Sequence, residues 1–175
     1  WGSNTTKLRR STDAAWKYAT EDDIPKMIVI NAFDKEGTDF EGVMTQLREH
    51  FGARVFPVSL PINPGAGFNQ LLDTIRSEVI TYSGDKSGKF TEAPASGELA
   101  ERVSELHKEL IEYIAEADDS LMEKWMAKGT LTEEELRAGL HAAVQKQSFV
   151  PVFCASAENN IGVARIMDFI AKYGS

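Results

Sequence analysis

The chain has 175 residues, 42% of them hydrophobic, which is enough for one domain, with or without a subdomain, to bury a core. The formal net charge is -8 at pH 7, which excludes a surface that tracks nucleic-acid phosphates regardless of sequence. A single cysteine, Cys154, excludes a disulfide-framed secreted module, and no apolar run is long enough to span a membrane. We therefore expect a cytoplasmic protein whose partners include neither a membrane nor a sequence-specific nucleic acid.

The hydrophobic pattern predicts an α/β fold with a largely helical middle. The chain begins with Trp1 instead of Met, and residues 1–11 are interpreted as tag-derived or flexible. Continuously apolar strands at 27–30 and 149–155 are expected to be covered on both faces in a parallel sheet. In chain order, the prediction is a helix at about 12–20, a strand at 27–30, a helix at 39–50, a strand at 55–60, a helix at 67–77, a strand at 79–82, an exposed hairpin or linker at 82–97, helices at 97–117, 120–128 and 132–146, a strand at 149–155 and a helix at 162–173.

The predicted helices of the middle segment are acidic. Residues 92–147 contain 13 acidic and 6 basic residues, so this segment carries nearly all of the net charge. Two of its helices have the sequence of a capping box at their start, Ser120 with Glu123 and Thr132 with Glu135. The acidic segment is interpreted either as the solvated face of a helical insertion or as a docking surface for a basic or amphipathic partner.

The first candidate binding motif is Asn31-Ala32-Phe33-Asp34, which follows the strand at 27–30. Ligands of open α/β sheets bind beyond the carboxyl ends of the strands. A carboxylate such as that of Asp34 accepts two parallel hydrogen bonds from guanine, whereas adenine lacks the matching pair of donors. Asn31 is expected to tie this strand end to a neighbouring loop. The alternative interpretation is a simple turn and helix entry, which both Asn and Asp favour.

The second candidate motif is Cys154-Ala155-Ser156-Ala157, which ends the other buried strand. Small residues there allow the backbone to approach a flat base closely, and the amide of Ala157 is placed to donate to guanine O6. Small residues at a strand end are common, so this motif alone is also consistent with ordinary packing. The two motifs together, in this order and each leading into a helix, indicate a guanine site more specifically than either motif does alone.

Together, the segments Pro25–Asp34 and Val150–Ala157 resemble the fourth and fifth guanine-recognition elements of a translational GTPase. The sequence between them is similar to elongation factor G, a family with an insertion called G-prime between these elements. The motifs that carry this similarity are Pro57-Val-Ser-Leu-Pro-Ile62, Gly67-Phe68, residues 115–124 and Leu131–Leu136.

The resemblance covers roughly residues 12–175 and implies a partial P-loop-GTPase-like parallel sheet that carries an α+β insertion subdomain. Residues 12–54 and 148–175 are assigned to the C-terminal part of the G domain, and residues 55–147 to an acidic insertion of the G-prime type. Asn31, Asp34, Ser156 and Ala157 are assigned as nucleotide contacts. No residue is assigned to catalysis or to a metal.

The sequence departs from the family pattern at two positions, Ala32 and Ala155, and it lacks a recognisable phosphate loop. The family usually has Gly around Ala155, and this small substitution is expected to be tolerated. The pattern Asn-Lys-x-Asp has Ala32 in place of its lysine, which is expected to weaken nucleotide binding without removing the role of Asp34. No phosphate loop is recognisable, because the nearest similar stretch, Gly84–Phe90, has three residues between its glycines instead of four and Phe90 where Ser or Thr holds magnesium.

The resemblance implies that the chain is a fragment of a GTPase that promotes ribosomal translocation. GTP or GDP is the expected ligand, with Mg²⁺ held by parts of the parent protein that this chain does not contain, and the fragment alone is expected to be inactive. The expected partners are the ribosome and, through the acidic insertion, the C-terminal domain of the ribosomal stalk protein. The alternative is a divergent paralogue with impaired nucleotide binding that acts mainly as a ribosome or protein-interaction module.

Overall fold

The computed structural model describes residues 10–174. The interpretation of residues 1–11 as tag-derived or flexible lies outside the described residues for 1–9, whereas residues 10 and 11 begin the first helix. The elements along the chain are α1 (Arg10–Glu21), β1 (Ile28–Ile30), α2 (Phe40–Phe51), β2 (Val55–Pro57), β3 (Ser59–Pro61), β4 (Gln70–Asp73), β5 (Glu78–Tyr82), β6 (Phe90–Pro94), α3 (Glu98–Glu116), α4 (Asp119–Lys128), α5 (Glu133–Gln145), β7 (Val150–Cys154) and α6 (Val163–Tyr173). None of the described helices is both long and apolar enough to cross a membrane.

A parallel sheet of order β1-β7-β2 confirms the predicted α/β fold class. Every residue of the central strand β7 is buried, as its continuously apolar sequence predicts. The same prediction is wrong for β1, because β1 is an outer strand and Val29 is 44% exposed. Its neighbours Ile28 and Ile30 point to the opposite face and pack against the core there.

The second sheet is antiparallel, with the order β3-β4-β5-β6. The helix predicted at 67–77 is wrong, because Gln70–Asp73 forms β4 between β3 and β5. Of the two interpretations of 82–97, the exposed hairpin is confirmed, because this segment contains a further strand, β6, which pairs antiparallel with β5 at the edge of the sheet and is exposed at all its residues. A short apolar run fits a helix or a strand equally well, and an exposed edge strand shows no apolar alternation.

The chain passes from one sheet to the other at Val58. The strand predicted at 55–60 is in fact two strands, because β2 pairs in the parallel sheet and β3 in the antiparallel one. The amide of Val58 donates to the carbonyl of Val152 at 2.8 Å, and its carbonyl accepts from the amide of Thr74 at 3.0 Å. Val58 therefore links the central strand β7 to the end of β4.

Two hydrophobic cores lie on opposite faces of β7. Val152 and Cys154 belong to the core formed with α2 and the antiparallel sheet, whereas Phe153 belongs to the core formed with α3, α4, α5 and α6. Burial raises the pKa of the Cys154 thiol well above its ordinary value, in keeping with an inert core thiol.

The caps of α4 and α5 differ in how far the sequence predicts them. The capping box of Thr132 and Glu135 is confirmed, with both reciprocal hydrogen bonds present. The one predicted at Ser120 is wrong, because α4 begins one residue earlier and its cap is Asp118, whose carboxylate accepts from the amides of Ser120 and Leu121. An Asp at the cap position satisfies the free amides of the first turn by itself.

Candidate functional site

Both candidate motifs lie at the same edge of the parallel sheet, because β1 and β7 are adjacent and parallel and pair Ile30 with Cys154. The amide of Ala155 donates to the carbonyl of Ile30 at 3.0 Å, and the amide of Phe33 donates back to the carbonyl of Ala155 at 3.3 Å. These bonds extend the strand pairing beyond the strand ends. The loops that carry the four predicted contacts are therefore held side by side.

Asp34 and Ser156 are in direct contact. The hydroxyl of Ser156, which is fully buried, donates to Asp34 Oδ1 at 2.6 Å. Desolvation by burial acts to raise the pKa of Asp34, but the bonds from Ser156 and Lys35 outweigh it, so this pKa lies below its ordinary value. Asp34 is thus a fixed carboxylate, the form that accepts hydrogen bonds from a base.

Asn31 and Ala157 are also in direct contact, since the Ala157 amide donates to Asn31 Oδ1 at 2.9 Å. Asn31 is expected from the sequence to tie its strand end to a neighbouring loop, and this hydrogen bond makes that connection. The amide assigned to guanine O6 is therefore engaged by Asn31 in this structure. A base carbonyl would have to share or replace that bond.

The sequence did not single out Lys35, which the structure places at the carboxylate. Its ammonium lies 3.0 Å from Asp34 Oδ2 and 2.9 Å from Glu158 Oε2, so it bridges the two loops. The hydrogen bonds to Glu158 and Asp34 raise the pKa of Lys35. The signal in the sequence was a lysine directly after Asp34, three residues beyond Ala32, which stands where the family pattern has a lysine.

Ala32 has φ +70°, in the left-handed region that residues with a side chain adopt rarely. Its carbonyl accepts from the Lys35 amide at 3.1 Å and closes a turn. Phe33, next in the chain, is buried and packs between Phe40 and Phe68 at ring-centroid distances of 6.3 and 5.9 Å. The turn is thereby anchored to the core beneath it.

The phosphate-loop look-alike Gly84–Phe90 lies in the β5–β6 turn and the start of β6, not between a strand and a helix as a phosphate loop requires. Within residues 10–174 there is no group of three metal-ligating side chains. Two of the histidines have local partners, His50 with Asp13 at 2.5 Å and His107 with the carbonyl of Thr74 at 2.8 Å. The stretch 84–90 therefore does not have the placement of a phosphate loop.

Comparison with known proteins shows the family to which the chain belongs. Residues 4–175 match the family model described as the elongation factor Tu GTP binding domain. A solved structure of a protein from Thermus thermophilus superimposes with a TM-score of 0.83 at 30% sequence identity. The match covers 95% of this chain and 24% of that protein, so the chain spans about a quarter of its length.

Proposed function

The chain belongs to the family of the elongation factor Tu GTP binding domain, and on that premise we propose that it supplies the guanine-recognition half of a translational GTPase. The observation that carries the proposal is the contact between the two strand-end loops, in which Ser156 fixes the Asp34 carboxylate. Asp34 accepts from the two guanine donors, and Asn31, Ser156 and Ala157 hold the loops that surround the base. A carboxylate in this place excludes adenine, because adenine offers it an acceptor where guanine offers a donor.

We propose further that the chain is the C-terminal part of a G domain in a longer factor of the elongation factor G type. In the parent, GTP hydrolysis requires a phosphate loop, Mg²⁺ and a positioned water, and other parts of the parent supply these. Mg²⁺, when bound, neutralises charge on the phosphates; the residues of this chain bind and orient the base. The chain alone is therefore proposed to be inactive as a GTPase.

The proposed division of the chain assigns 12–54 and 148–175 to the G domain and 55–147 to the acidic insertion. Because β2 (Val55–Pro57) pairs with β7 in the parallel sheet, we propose that the insertion starts at Val58, where the chain passes into the antiparallel sheet, and not at residue 55. The parent is proposed to act in the cytoplasm on the ribosome and to promote translocation.

The insertion is proposed to contact the C-terminal domain of the ribosomal stalk protein. Exposed carboxylates at the start of α5, including Glu133 and Glu134, support a basic partner. Replacing both with Lys is expected to weaken binding of the stalk domain and to leave guanine binding unchanged. Equal stalk binding by this variant and the wild type would contradict the proposed contact.

Three observations favour a second candidate, a paralogue with weak nucleotide binding that acts mainly through ribosome or protein contacts. Ala32 replaces the pattern lysine, Lys35 pairs with the base-binding carboxylate, and the Ala157 amide is engaged by Asn31. Ala32 removes a contact that the family pattern provides, and the other two bonds engage groups with which a base would have to compete.

The deciding experiment measures GDP and ADP affinities, with magnesium present, for the longer factor and for this chain. Guanine-selective binding by the factor and none by the chain supports the first proposal. Absence of guanine preference in the factor, with stalk binding retained, supports the second. Equal affinity for both nucleotides in a factor that hydrolyses GTP would contradict the role given to Asp34.

A further inference from the structure

The loop of residues 156–161, which we call the base loop, also contacts the antiparallel sheet. The side-chain amide of Asn160 donates from Nδ2 to the backbone carbonyl of Lys86 at 3.3 Å. Lys86 lies in the turn between β5 and β6, residues 83–89. Asn160 has φ +54° and closes the base loop, since its own amide donates to the carbonyl of Ala157 at 3.2 Å.

The β5–β6 turn is shaped to receive the Asn160 side chain. Gly88 has φ +75°, and a Cβ at this position would lie 2.6 Å from Asn160 Nδ2, which is closer than real Cβ contacts. The carboxylate of Asp85 organises the turn by accepting from the hydroxyls of Ser83 and Ser87, at 2.6 and 2.5 Å. These bonds lower the pKa of Asp85 to about 2. The carboxylate is therefore ionised at neutral pH and accepts the hydrogen bonds that shape the turn.

The antiparallel sheet meets the base loop a second time, at the residue that follows it. A Cβ on Gly162 would lie 2.8 Å from the carbonyl oxygen of Cys154 and 3.1 Å from Cδ1 of Leu71, which is in β4. Gly162 thus lets the start of α6 approach β4 closely. The antiparallel sheet supports the base loop at two points, once through a hydrogen bond and once through packing.

We infer that the β5–β6 turn holds the base loop in place and that Asn160 is a positioning residue for the nucleotide. The inference rests on the proposed function, because the loop that Asn160 fixes carries Ser156 and Ala157. Asn160 does not contact the base itself. It acts on the base by positioning Ser156 and Ala157. A displacement of the antiparallel sheet then changes the affinity for guanine. A partner that binds this sheet and moves it would therefore change nucleotide affinity.

Two variants and one matched control test this inference. Asn160→Asp keeps the size of the side chain and its tolerance of positive φ but removes the donor to Lys86. Gly88→Ala presses on the Asn160 side chain. Gly84→Ala is the control, because Gly84 lies in the same turn with the same φ of +75° and has nothing within 4 Å of its Cβ position.

Hydrogen exchange of the amides of Ala157, Asn160 and Ile161 in this chain reports on the base loop without any nucleotide. Affinities for GDP and ADP, measured on the longer factor, report on the site. We expect Asn160→Asp and Gly88→Ala to speed exchange at these amides and to weaken GDP binding about threefold to tenfold, the effect of one hydrogen bond. ADP affinity should not change. Gly88→Ala and Gly84→Ala both place a side chain at φ +75° and should both lower the melting temperature, whereas Gly84→Ala should match the wild type in exchange at the base loop and in both affinities.

Unchanged exchange in both variants would overturn the inference and leave the proposed function untouched. Faster exchange with an unchanged ratio of GDP to ADP affinity would also overturn it, because the contact would then be merely structural. A wild-type factor without guanine preference would overturn the proposed function itself, and with it the positioning role.

Discussion

The hydroxyl of Ser156 donates to Asp34 Oδ1 at 2.6 Å and joins two loops that are 122 residues apart in the sequence. Because Ser156 is fully buried, its single proton has no water to bind in place of Asp34. The bond fixes one carboxylate oxygen and leaves the other, Oδ2, toward Lys35. The geometry of the carboxylate is thus set before any ligand arrives, which lowers the entropic cost of binding one.

Ser156→Ala is expected to lower the free energy of unfolding at pH 7 by about 1–2 kcal/mol, because it removes a buried donor from a charged acceptor. It should also raise the pKa of Asp34 toward its ordinary value. Since that pKa is lowered in the folded wild type, the bond stabilises above about pH 4, the unfolded value, and its contribution falls as the pH drops through the folded pKa. Urea denaturation at several pH values and NMR titration of Asp34 would measure both effects. A stability difference that grows below pH 4 would contradict the assignment.

Asp34→Asn in the longer factor is expected to shift the preference from guanine to xanthine nucleotides. The substitution replaces one acceptor oxygen with an amine donor, which complements the extra carbonyl of xanthine. Competition between GDP and xanthosine diphosphate measures the shift, which we expect to be tenfold or more, on the order of one lost charged hydrogen bond. Unchanged guanine preference would remove Asp34 from the site.

Ala32→Lys in the longer factor is expected to strengthen GDP binding, because it restores the lysine of the family pattern beside the base. The matched control is Ala32→Gly, which suits the φ of +70° without adding an ammonium group. Calorimetric titration with GDP would separate the two effects. If the glycine variant gains as much affinity as the lysine variant, relief of backbone strain and not the missing lysine is the cause.

The ion pair of Arg165 with Asp73 joins α6 to the end of β4, with both side chains largely buried. Arg165→Met is expected to reduce the free energy of unfolding by about 3 kcal/mol, because it leaves the Asp73 carboxylate buried without its counterion. Lys172→Met on the same helix removes an exposed ion pair with Asp168 and should change the free energy of unfolding by less than about 0.5 kcal/mol. Chemical denaturation of the two variants tests the contrast, and equal effects would contradict it.

Asp118→Ala is expected to destabilise the chain by about 1 kcal/mol through loss of the α4 cap. Ser120→Ala should have almost no effect, since Ser120 is exposed and its hydroxyl is not the cap. Thermal unfolding followed by circular dichroism compares them. A larger loss of stability in Ser120→Ala than in Asp118→Ala would contradict the Asp118 cap and support the capping box predicted at Ser120.

Sequence periodicity located the helices well wherever a long amphipathic stripe exists, as in α3 with its buried Val103, Leu110 and Ile114. It failed at β4, where Leu71 and Leu72 are both buried and produce no alternation. A strand that is buried on both faces looks the same in sequence as a turn of a buried helix. Local pattern therefore does not distinguish the two, and strand pairing decides.

The pair of motifs predicted which loops meet, but not the bonds inside the site. That Asp34 and Ser156 belong together followed from two strand ends in a parallel sheet. That the Ala157 amide is engaged by Asn31, and that Lys35 bridges Asp34 to Glu158, depends on side-chain directions that no spacing encodes. Both the Asn31–Ala157 and the Lys35–Glu158 contacts join residues that are far apart in the chain. The sequence therefore shows that the residues are present but not which of them pair.

Among the described strands, the central strand of the parallel sheet, β7, is the last to be synthesised, and this has a consequence for biosynthesis. Within residues 10–174, β1 and β2 each pair in this sheet with β7 alone, so those pairings cannot form until β7 has emerged. The antiparallel strands are consecutive and close over short connections, so they are expected to form first. Until β7 has emerged, this part of a nascent chain therefore exposes apolar strand edges, which makes it a substrate for chaperones.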